Sequence, residues 1–354
     1  MCAGFINQQD QQNVLIHPVR PPGELQALQV LDNIAAEMEN IDHLRQRTIR
    51  EMEKALRKQE ELELDKVEET LTLMAMAAVH PITVTRALIQ FGYEPFQTTV
   101  GPRYVFFGQP VVFLPNLFSY MRQLTKENKL STLFEGLDSA ICVHIVGGTV
   151  DGIVWKQEDE LTDSESFLAV TVSRPFTVCL IRQIAQVIGN ETKYTTCAQA
   201  LSVIGKQEGP GGLFSGLAPQ ILGELLVIWG VHLITHGIQR AILRTEVGDT
   251  KQQDENKAKA AKDVHKFIHT AVPFVVNSFG YPYSVVSNVM AVAGSGLAVS
   301  FLPYSPSFNS WHGAWDYLRP SGLKRGSRLF LREQVGAVTV GADQQLYASN
   351  TYFA

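Results

Sequence analysis

Arg174-Pro175-Phe176-Thr177-Val178-Cys179-Leu180-Ile181-Arg182 is the proline-headed apolar stretch that decides the fold of this 354-residue chain. Two other stretches begin in the same way, His80-Pro81-Ile82-Thr83-Val84-Thr85-Arg86 and Tyr281-Pro282-Tyr283-Ser284-Val285-Val286-Ser287-Asn288. The three prolines lie about a hundred residues apart, which indicates a supersecondary unit used three times. We interpret Pro81, Pro175 and Pro282 as kinks in three related helices.

Charged residues are segregated along the chain, although they make up 18% of it and hydrophobic residues 45%. No Asp, Glu, Lys or Arg occurs in Tyr104–Met121 or in Phe267–Trp315, and Glu224 is the only one in Gly209–Gln239. A soluble domain spreads its charges over its surface, whereas long uncharged stretches between charged loops indicate a bilayer. We therefore predict an all-α membrane protein.

The chain divides into an N-terminal part, a membrane domain and a tail. Residues 1–23 are rich in Gln, Asn and Pro and are predicted to be disordered. Residues 24–66 are predicted to form a charged amphipathic helix, which packs either on its own protein or, as a coiled coil, on a partner. The membrane domain covers 67–341, with repeats at about 67–160, 161–250 and 251–341, and a polar tail follows at 342–354.

Each repeat is predicted to hold two membrane helices, the first of them around a proline. A full span needs about 20 residues, and too few remain between Gly326 and the polar tail, so the sixth helix is truncated. In the second span, Gly136, Gly147, Gly148 and Gly152 are small residues that let helices approach closely in lipid. The five full spans are predicted at Leu71–Phe91, Leu133–Trp155, Ser166–Gly189, a segment that ends near Ile242, and Phe267–Val292; a short amphipathic helix is predicted at Cys197–Ile204.

This repeat resembles the mitochondrial carrier family, whose odd helices carry Pro-x-acid-x-x-base-x-base. The even helices of that family follow a motif like Glu208-Gly209-Pro210-Gly211-Gly212-Leu213-Phe214-Ser215-Gly216-Leu217-Ala218-Pro219. In carriers, the acid after each proline pairs with a base on the next odd helix and closes a gate. Thr83, Thr177 and Ser284 stand at the three acid positions here. The resemblance therefore implies a retained carrier scaffold and a lost carrier gate.

Other strings look like the mitochondrial carrier homolog family, a divergent outer-membrane branch. They include Leu88-Ile89-Gln90-Phe91-Gly92-Tyr93-Glu94-Pro95, Gly189-x-Glu191-x-Lys193-Tyr194 and Pro303-Tyr304-Ser305-Pro306, and the resemblance covers about 70–335. It implies a multi-pass protein of the mitochondrial outer membrane that inserts α-helical, especially tail-anchored, client proteins. It also implies membrane lipids as partners, lipid scrambling, and recruitment of pro-apoptotic proteins.

Polar residues inside the predicted spans indicate where such an activity resides. One isolated charge at a helix centre costs about 2.5–3.5 kcal/mol on insertion scales, so these side chains must face the bundle interior or a wet cavity. We predict a hydrophilic groove open to lipid; the alternatives are an internal ion-pair network for the charged members and interhelical hydrogen bonds for Tyr281 and Asn288. The predicted groove residues are Arg86, Arg182, Glu224, Asn277, Tyr281 and Asn288.

The residues leave three functions open: an insertase with a groove, a solute antiporter of carrier type, and a receptor that recruits partners without moving anything. The missing acids count against the antiporter. We find no nucleotide-binding, metal-ligand or hydrolase motif, and therefore predict no covalent catalysis, no cofactor and no metal. The net charge of −5 argues against a nucleic-acid partner.

Overall fold

The computed structural model describes residues 22–103, 107–154, 162–246, 255–301, 308, 310–320, 322–334 and 336–348. Two compact units divide the chain, Met1–Thr72 and Leu73–Ala354. The segment predicted to be disordered, 1–23, lies outside the described residues except for its last two, which begin the first helix.

The described residues are mostly helical, with a few short strands. Short 3₁₀ helices lie at Leu130–Phe134 and Ala298–Phe301. The α-helices are α1 (Pro22–Phe91), α2 (Leu117–Glu127), α3 (Leu137–Val154), α4 (Thr162–Ala185), α5 (Cys197–Gln207), α6 (Gly209–Leu213), α7 (Leu217–Glu246), α8 (Glu255–Val292) and α9 (Trp311–Leu318). The strands are β1 (Thr99–Pro102), β2 (Pro110–Leu114), β3 (Arg332–Glu333), β4 (Val338–Val340) and β5 (Leu346–Ala348).

Helix α1 continues without interruption past residue 66, where the sequence placed the end of the N-terminal helix. The division into units falls at Thr72 instead. Helices α1, α4 and α8 also run through Pro81, Pro175 and Pro282, so these prolines end none of them, and their role as kinks stays a prediction.

Membrane-length apolar segments occur in α1, α3, α4 and α7. The helical stretches that contain such a segment are Asn40–Phe91, Leu130–Val150, Phe167–Ala185 and Gly209–Ile238, and they overlap the first four predicted spans. The predicted fifth span, Phe267–Val292, is helical within α8 but does not qualify, because polar residues such as Asn277 and Asn288 interrupt it.

Close packing between helices involves only some of the expected glycines; one of them is Gly136, where an added Cβ would lie 2.9 Å from Leu180 Cδ1 on α4. Helix α3 packs on α4, and α7 packs on α8. At Gly280, an added Cβ would lie 2.6 Å from Val227 Cγ2, so the absence of a side chain is what lets α7 and α8 approach each other. Within the described parts of the chain, no group lies within 4 Å of such a Cβ at Gly147 or Gly148, where we also expected close packing.

Three short helices, α2, α5 and α9, follow the three proline-containing helices, and each begins with the same kind of cap. Asn116 Oδ1 accepts from Ser119 N at 2.7 Å, and Thr196 Oγ1 accepts from Gln199 N at 3.3 Å. At the start of α9, Ser310 Oγ accepts a hydrogen bond from Gly313 N at 3.4 Å. Such caps satisfy backbone donors that have no partner in the first helical turn. Helix α5 corresponds to the short helix predicted at Cys197–Ile204.

The predicted truncated sixth helix is wrong, and the fold is not purely helical. Strand β3 extends the antiparallel β1–β2 pair, and β4 pairs with β5. Arg332 lies in β3, donates to the Pro115 carbonyl at 2.9 Å and forms an ion pair with Glu94. Gln334 N donates to the Val112 carbonyl at 2.9 Å. These contacts with the first connector hold the segment in an extended conformation, which local helix propensity does not overcome.

Part of the predicted polar tail, 342–354, is built into the second unit. Thr98 N and Thr98 Oγ1 both donate to the Leu346 carbonyl at 2.8 Å, and Tyr347 lies opposite Gln97 in an isolated bridge. The described part of this tail, 342–348, therefore packs against the connector that follows α1.

The largest apolar core lies around the carboxyl ends of α1 and α4, where they meet α2 and α5. Its fully buried side chains include Leu88, Tyr120, Ile184 and Ile204. Tyr120 also donates from its hydroxyl to the Tyr93 carbonyl at 2.7 Å, so its polar atom is satisfied. This core closes off one end of the space between the membrane helices.

Candidate functional site

A cavity of about 540 Å³ lies between α1, α4, α7 and α8. Each of the three proline-containing helices contributes residues to it, and the charged members of its lining are Arg86 and Glu224. The lining residues are Thr83, Arg86, Ala87, Gln90, Thr177, Leu180, Ile181, Ile184, Gln220, Gly223, Glu224, Val227, Asn277, Gly280, Tyr281, Ser284, Ser287 and Asn288.

The cavity brings together most of the side chains that the sequence singled out. Five of the six predicted groove residues line it; they are Arg86, Glu224, Asn277, Tyr281 and Asn288. The three positions where carriers have acids also line it, and they hold the hydroxyl residues Thr83, Thr177 and Ser284. These three lining positions therefore carry no charge, and they do not form the three-fold arrangement of acids of a carrier gate.

Opposite walls of the cavity differ in chemistry. Helix α4 contributes Leu180, Ile181 and Ile184 to the deeper part of the lining, which makes this wall apolar. At the corresponding depth, α1 contributes Gln90, and α8 contributes Asn288. Because α1 and α8 carry the first and last proline stretches, the polar wall belongs to the two ends of the membrane domain.

The deep end of the polar wall is closed by a hydrogen-bond network centred on Gln90. Asn288 Nδ2 donates to Gln90 Oε1 at 2.6 Å, and Gln90 Nε2 donates to the Tyr281 hydroxyl at 3.0 Å. Tyr281 in turn donates to the Arg325 carbonyl. Tyr281 and Asn288 thus both line the cavity and make the interhelical hydrogen bonds that were the alternative interpretation.

The opposite end of the cavity is open. Thr83, Glu224, Asn277 and Ser284 line it and are exposed. Arg86 lies between the open and closed ends, and its Nε is buried with no hydrogen-bond partner among the residues that the structure describes. A buried N–H group without a partner carries a desolvation penalty that a polar ligand or segment entering the cavity would relieve.

Relatives of the chain agree with the resemblance seen in the sequence. No protein-family model matches the chain. Mitochondrial carrier homolog 1 of Mus musculus is 30% identical over 290 residues, which is 72% of this chain and 73% of that protein. The chain belongs to the mitochondrial carrier homolog family. Mitochondrial carrier homolog 2 of Homo sapiens and that of Mus musculus are each 29% identical over 282 residues, 72% of this chain and 89% of theirs.

Membership of the carrier homolog family confirms the family predicted from the sequence. Together with the membrane-length apolar helices, it makes the chain a mitochondrial membrane protein. The names of the relatives state no activity, so the chemistry of this family member has to be inferred from its own cavity.

Arg182 does not line the cavity of this carrier homolog, contrary to the prediction. Its guanidinium is fully buried, makes two hydrogen bonds to the Glu208 carboxylate, one of them 2.7 Å from Nη2 to Oε2, and donates from Nε to the Ala291 carbonyl at 2.8 Å. The reason is the direction of its side chain, which leaves α4 toward Glu208 and the Ala291 carbonyl, whereas Ile181 and Ile184 on the same helix line the cavity. For Arg182, the ion-pair alternative describes the structure.

Several residues that shape the site were missed by the sequence reasoning. Buried Arg174 donates to the Ser215 carbonyl from Nε at 3.0 Å, to Gln220 and, at 3.4 Å, to the Ser287 carbonyl, and so joins α4 to α7 and α8. Gln90 and Glu208 stood within quoted motifs, but the sequence offers no signal of their partners, which lie on distant parts of the chain. No group of three His, Cys, Asp or Glu side chains suited to a metal occurs in the described part of the chain.

Proposed function

We propose that this protein is a multi-pass insertase of the mitochondrial outer membrane, and that its cavity is a hydrophilic groove for α-helical, especially tail-anchored, clients. The observation that carries the proposal is the division of the cavity into a polar wall on α1 and α8 and an apolar wall on α4. A client of this kind has a polar segment that must cross the bilayer and an apolar helix that must stay in it.

The polar wall lies where a sixth helix would close the bundle. The described residues of 326–348 do not form a helix that covers α8; they form turns and strands, which pair with the connector after α1 and with each other. The outer face of α8 is correspondingly bare, with Phe274 79% exposed and Phe279 65% exposed. We infer that the groove opens sideways into lipid between α1 and α8.

The groove acts by lowering a desolvation barrier. Arg86, Gln90 and Asn288 offer hydrogen-bond partners to a polar segment inside the bilayer, where backbone and side-chain polar groups otherwise have none. Glu224 supplies a carboxylate near the open end. The apolar helix of the client leaves sideways into lipid, and no covalent bond, cofactor or metal takes part. The same groove would pass a lipid head group, which is how scrambling would arise.

The finer architecture belongs to the same proposal: three helix-pair repeats, five full spans and an incomplete last repeat. The capped helices α2, α5 and α9 support it. So do Gly136, Gly216 and Gly326, which have positive φ of 80°, 70° and 73° at the turn that ends each connector.

Reconstitution of the full-length protein into liposomes tests the activity. A tail-anchored client is added after synthesis in vitro, and insertion is measured as the protease-protected fragment. We expect Arg86→Leu and Glu224→Leu each to reduce insertion about tenfold, equivalent to ~1.4 kcal/mol in the barrier. The matched controls are Arg122→Leu and Glu127→Leu on α2, both exposed and absent from the cavity lining, which should leave insertion unchanged.

Other results would favour the remaining functions. If Arg86→Leu and Glu224→Leu fold and insert clients as well as the wild type, the groove mechanism is wrong. Exchange of a labelled metabolite, increased by Asp at Thr83, Thr177 and Ser284, would instead indicate an antiporter. A receptor, including one for pro-apoptotic proteins, would be indicated if the wild type inserts no client and deletion of 24–66 abolishes the recruitment of partners.

A further inference from the structure

The part of α1 that lies in the first unit carries an apolar stripe that the proposed groove does not use. Ile41, Ile49, Met52, Leu56 and Val67 are between 46% and 62% exposed. At 100° per residue these side chains fall within a band about 80° wide on one side of the helix. An exposed apolar band of this length on a helix indicates a surface that another helix covers.

Two opposite charges interrupt the stripe. Arg45 and Glu63 lie in the same band as the apolar residues. They are about five helical turns apart, so they point in the same direction from the helix axis. A charge inside an apolar contact is strongly unfavourable unless an opposite charge pairs with it. Whatever covers the stripe must therefore present an acid to Arg45 and a base to Glu63.

A second copy of the same helix, running antiparallel, meets this requirement. Lys54 lies midway in the sequence between Arg45 and Glu63. It is also midway between Ile41 and Val67, and between Met52 and Leu56. Symmetric self-association places residue i against j and residue j against i, which is the pattern of these three pairs.

We propose that two copies of this chain associate through 41–67 as an antiparallel helix pair with its two-fold axis at Lys54. In this register Arg45 of each copy meets Glu63 of the other, and Met52 meets Leu56 across the axis. A parallel pair would place Arg45 against Arg45 and Glu63 against Glu63, two like-charge contacts within the stripe. The paired segment is about 40 Å long.

Charge reversal in the full-length protein tests the pairing, with the mass of the protein in detergent and in nanodiscs as the readout. We expect Arg45→Glu and Glu63→Arg each to weaken the dimer about tenfold, because each creates two like-charge contacts. The double variant Arg45→Glu with Glu63→Arg should restore it. Arg47→Glu and Glu61→Arg are matched controls on the opposite side of the helix and should leave the dimer unchanged.

Cross-linking tests the direction of the helices independently of charge. Ile49 and Gln59 are also equally far from Lys54, so Ile49→Cys chains mixed with Gln59→Cys chains should be joined by a short bifunctional maleimide. For either variant alone, the extent of cross-linking should not exceed that of the wild type, in which only the native cysteines react. A wild-type monomer, cross-linking of either variant to itself, or equal effects of Arg45→Glu and Arg47→Glu would each overturn the proposal; the last would show that another partner or the lipid surface covers the stripe.

Discussion

The region from α4 to α7 and the region from α8 to the carboxyl terminus begin alike and end differently. Each starts with a proline-containing helix, continues to a short capped helix, and reaches a glycine of positive φ, Gly216 at 70° and Gly326 at 73°. After Gly216 the chain forms α7, which is 30 residues long. After Gly326 the residues described up to 348 form turns and three short strands.

The difference shows that the turn does not decide which kind of element comes after it.

Both regions contain a buried arginine paired with a glutamate, but the two pairs join different elements of the fold. Arg182 and Glu208 lie within one region and join α4 to the start of α6. Arg332 and Glu94 join the end of the chain to the connector after α1. The first pair supports a helix of its own region, and the second ties a strand to another region.

The largest effect is expected from breaking the pair in the first of these regions. Arg182→Leu leaves Glu208 without its partner, and removing one member of a buried pair destabilises a protein by about 3–5 kcal/mol. We expect a correspondingly lower thermal unfolding midpoint in detergent. Lys206→Leu, an exposed change on neighbouring α5, is the control and should have little effect. A loss below ~1 kcal/mol would show that Arg182 is not what holds α4 in place.

The two glycine turns can be compared directly. A Cβ added at Gly216 would lie 2.4 Å from the Ser287 carbonyl oxygen, whereas at Gly326 its closest neighbour would be the Tyr281 hydroxyl at 2.9 Å. We expect Gly216→Ala to cost about 2–4 kcal/mol, from left-handed backbone strain together with overpacking, and Gly326→Ala to cost less. Unfolding midpoints measure both.

Gly209→Ala separates the two contributions to that cost. Gly209 has φ of 69°, but an added Cβ would meet nothing within 4 Å. Its substitution should therefore cost only the backbone strain, about 1–2 kcal/mol. Equal losses for Gly209→Ala and Gly216→Ala would mean that close contact with Ser287 contributes nothing.

The pair at the end of the chain should respond to pH. Burial raises the pKa of Glu94 from 4.5 to about 6, because the loss of hydration outweighs the attraction of Arg332. The folded state therefore binds this proton more tightly than the unfolded state does. Protonation of Glu94 therefore contributes about 2 kcal/mol to the free energy of unfolding. This contribution is fully present below pH 4.5 and is lost as the pH rises through about 6.

Glu94→Gln cannot titrate and serves as the reference for that measurement. The unfolding midpoint of the wild type, relative to Glu94→Gln, should fall as the pH is raised from 4.5 to 6. A relative midpoint that rises over this range would mean that Arg332 dominates and that the pKa of Glu94 lies below its ordinary value.

The smallest effect is expected where the two regions touch, at the contact of α7 with α8. Gly280→Ala would place a Cβ 2.6 Å from Val227 Cγ2, an overpacking that costs about 1 kcal/mol. Gly237→Ala on α7 meets nothing within 4 Å and should be neutral or slightly stabilising. A neutral Gly280→Ala would show that the helices can separate at this contact.

Local patterns were enough to predict some elements, and long-range contacts explain what they missed. The apolar proline stretches predicted α4 and α8, and the three- and four-residue apolar steps predicted the N-terminal part of α1. Arg182 could not be assigned to its pair, because its partner Glu208 lies on another element and a sequence shows no direction for a side chain. The strand at Arg332 depends on Glu94 and Val112, whose proximity no local pattern records.

The contact between Glu94 and Arg332 joins residues separated by 238 positions. Loops of this length close late, since the entropy of bringing their ends together precedes any gain from the contact. During synthesis, the connector after α1 therefore cannot complete its contacts until Arg332 has been added, and Glu94 stays hydrated until then. A chain that ends before Arg332 would leave the connector after α1, and not only the strands near the carboxyl terminus, incompletely folded.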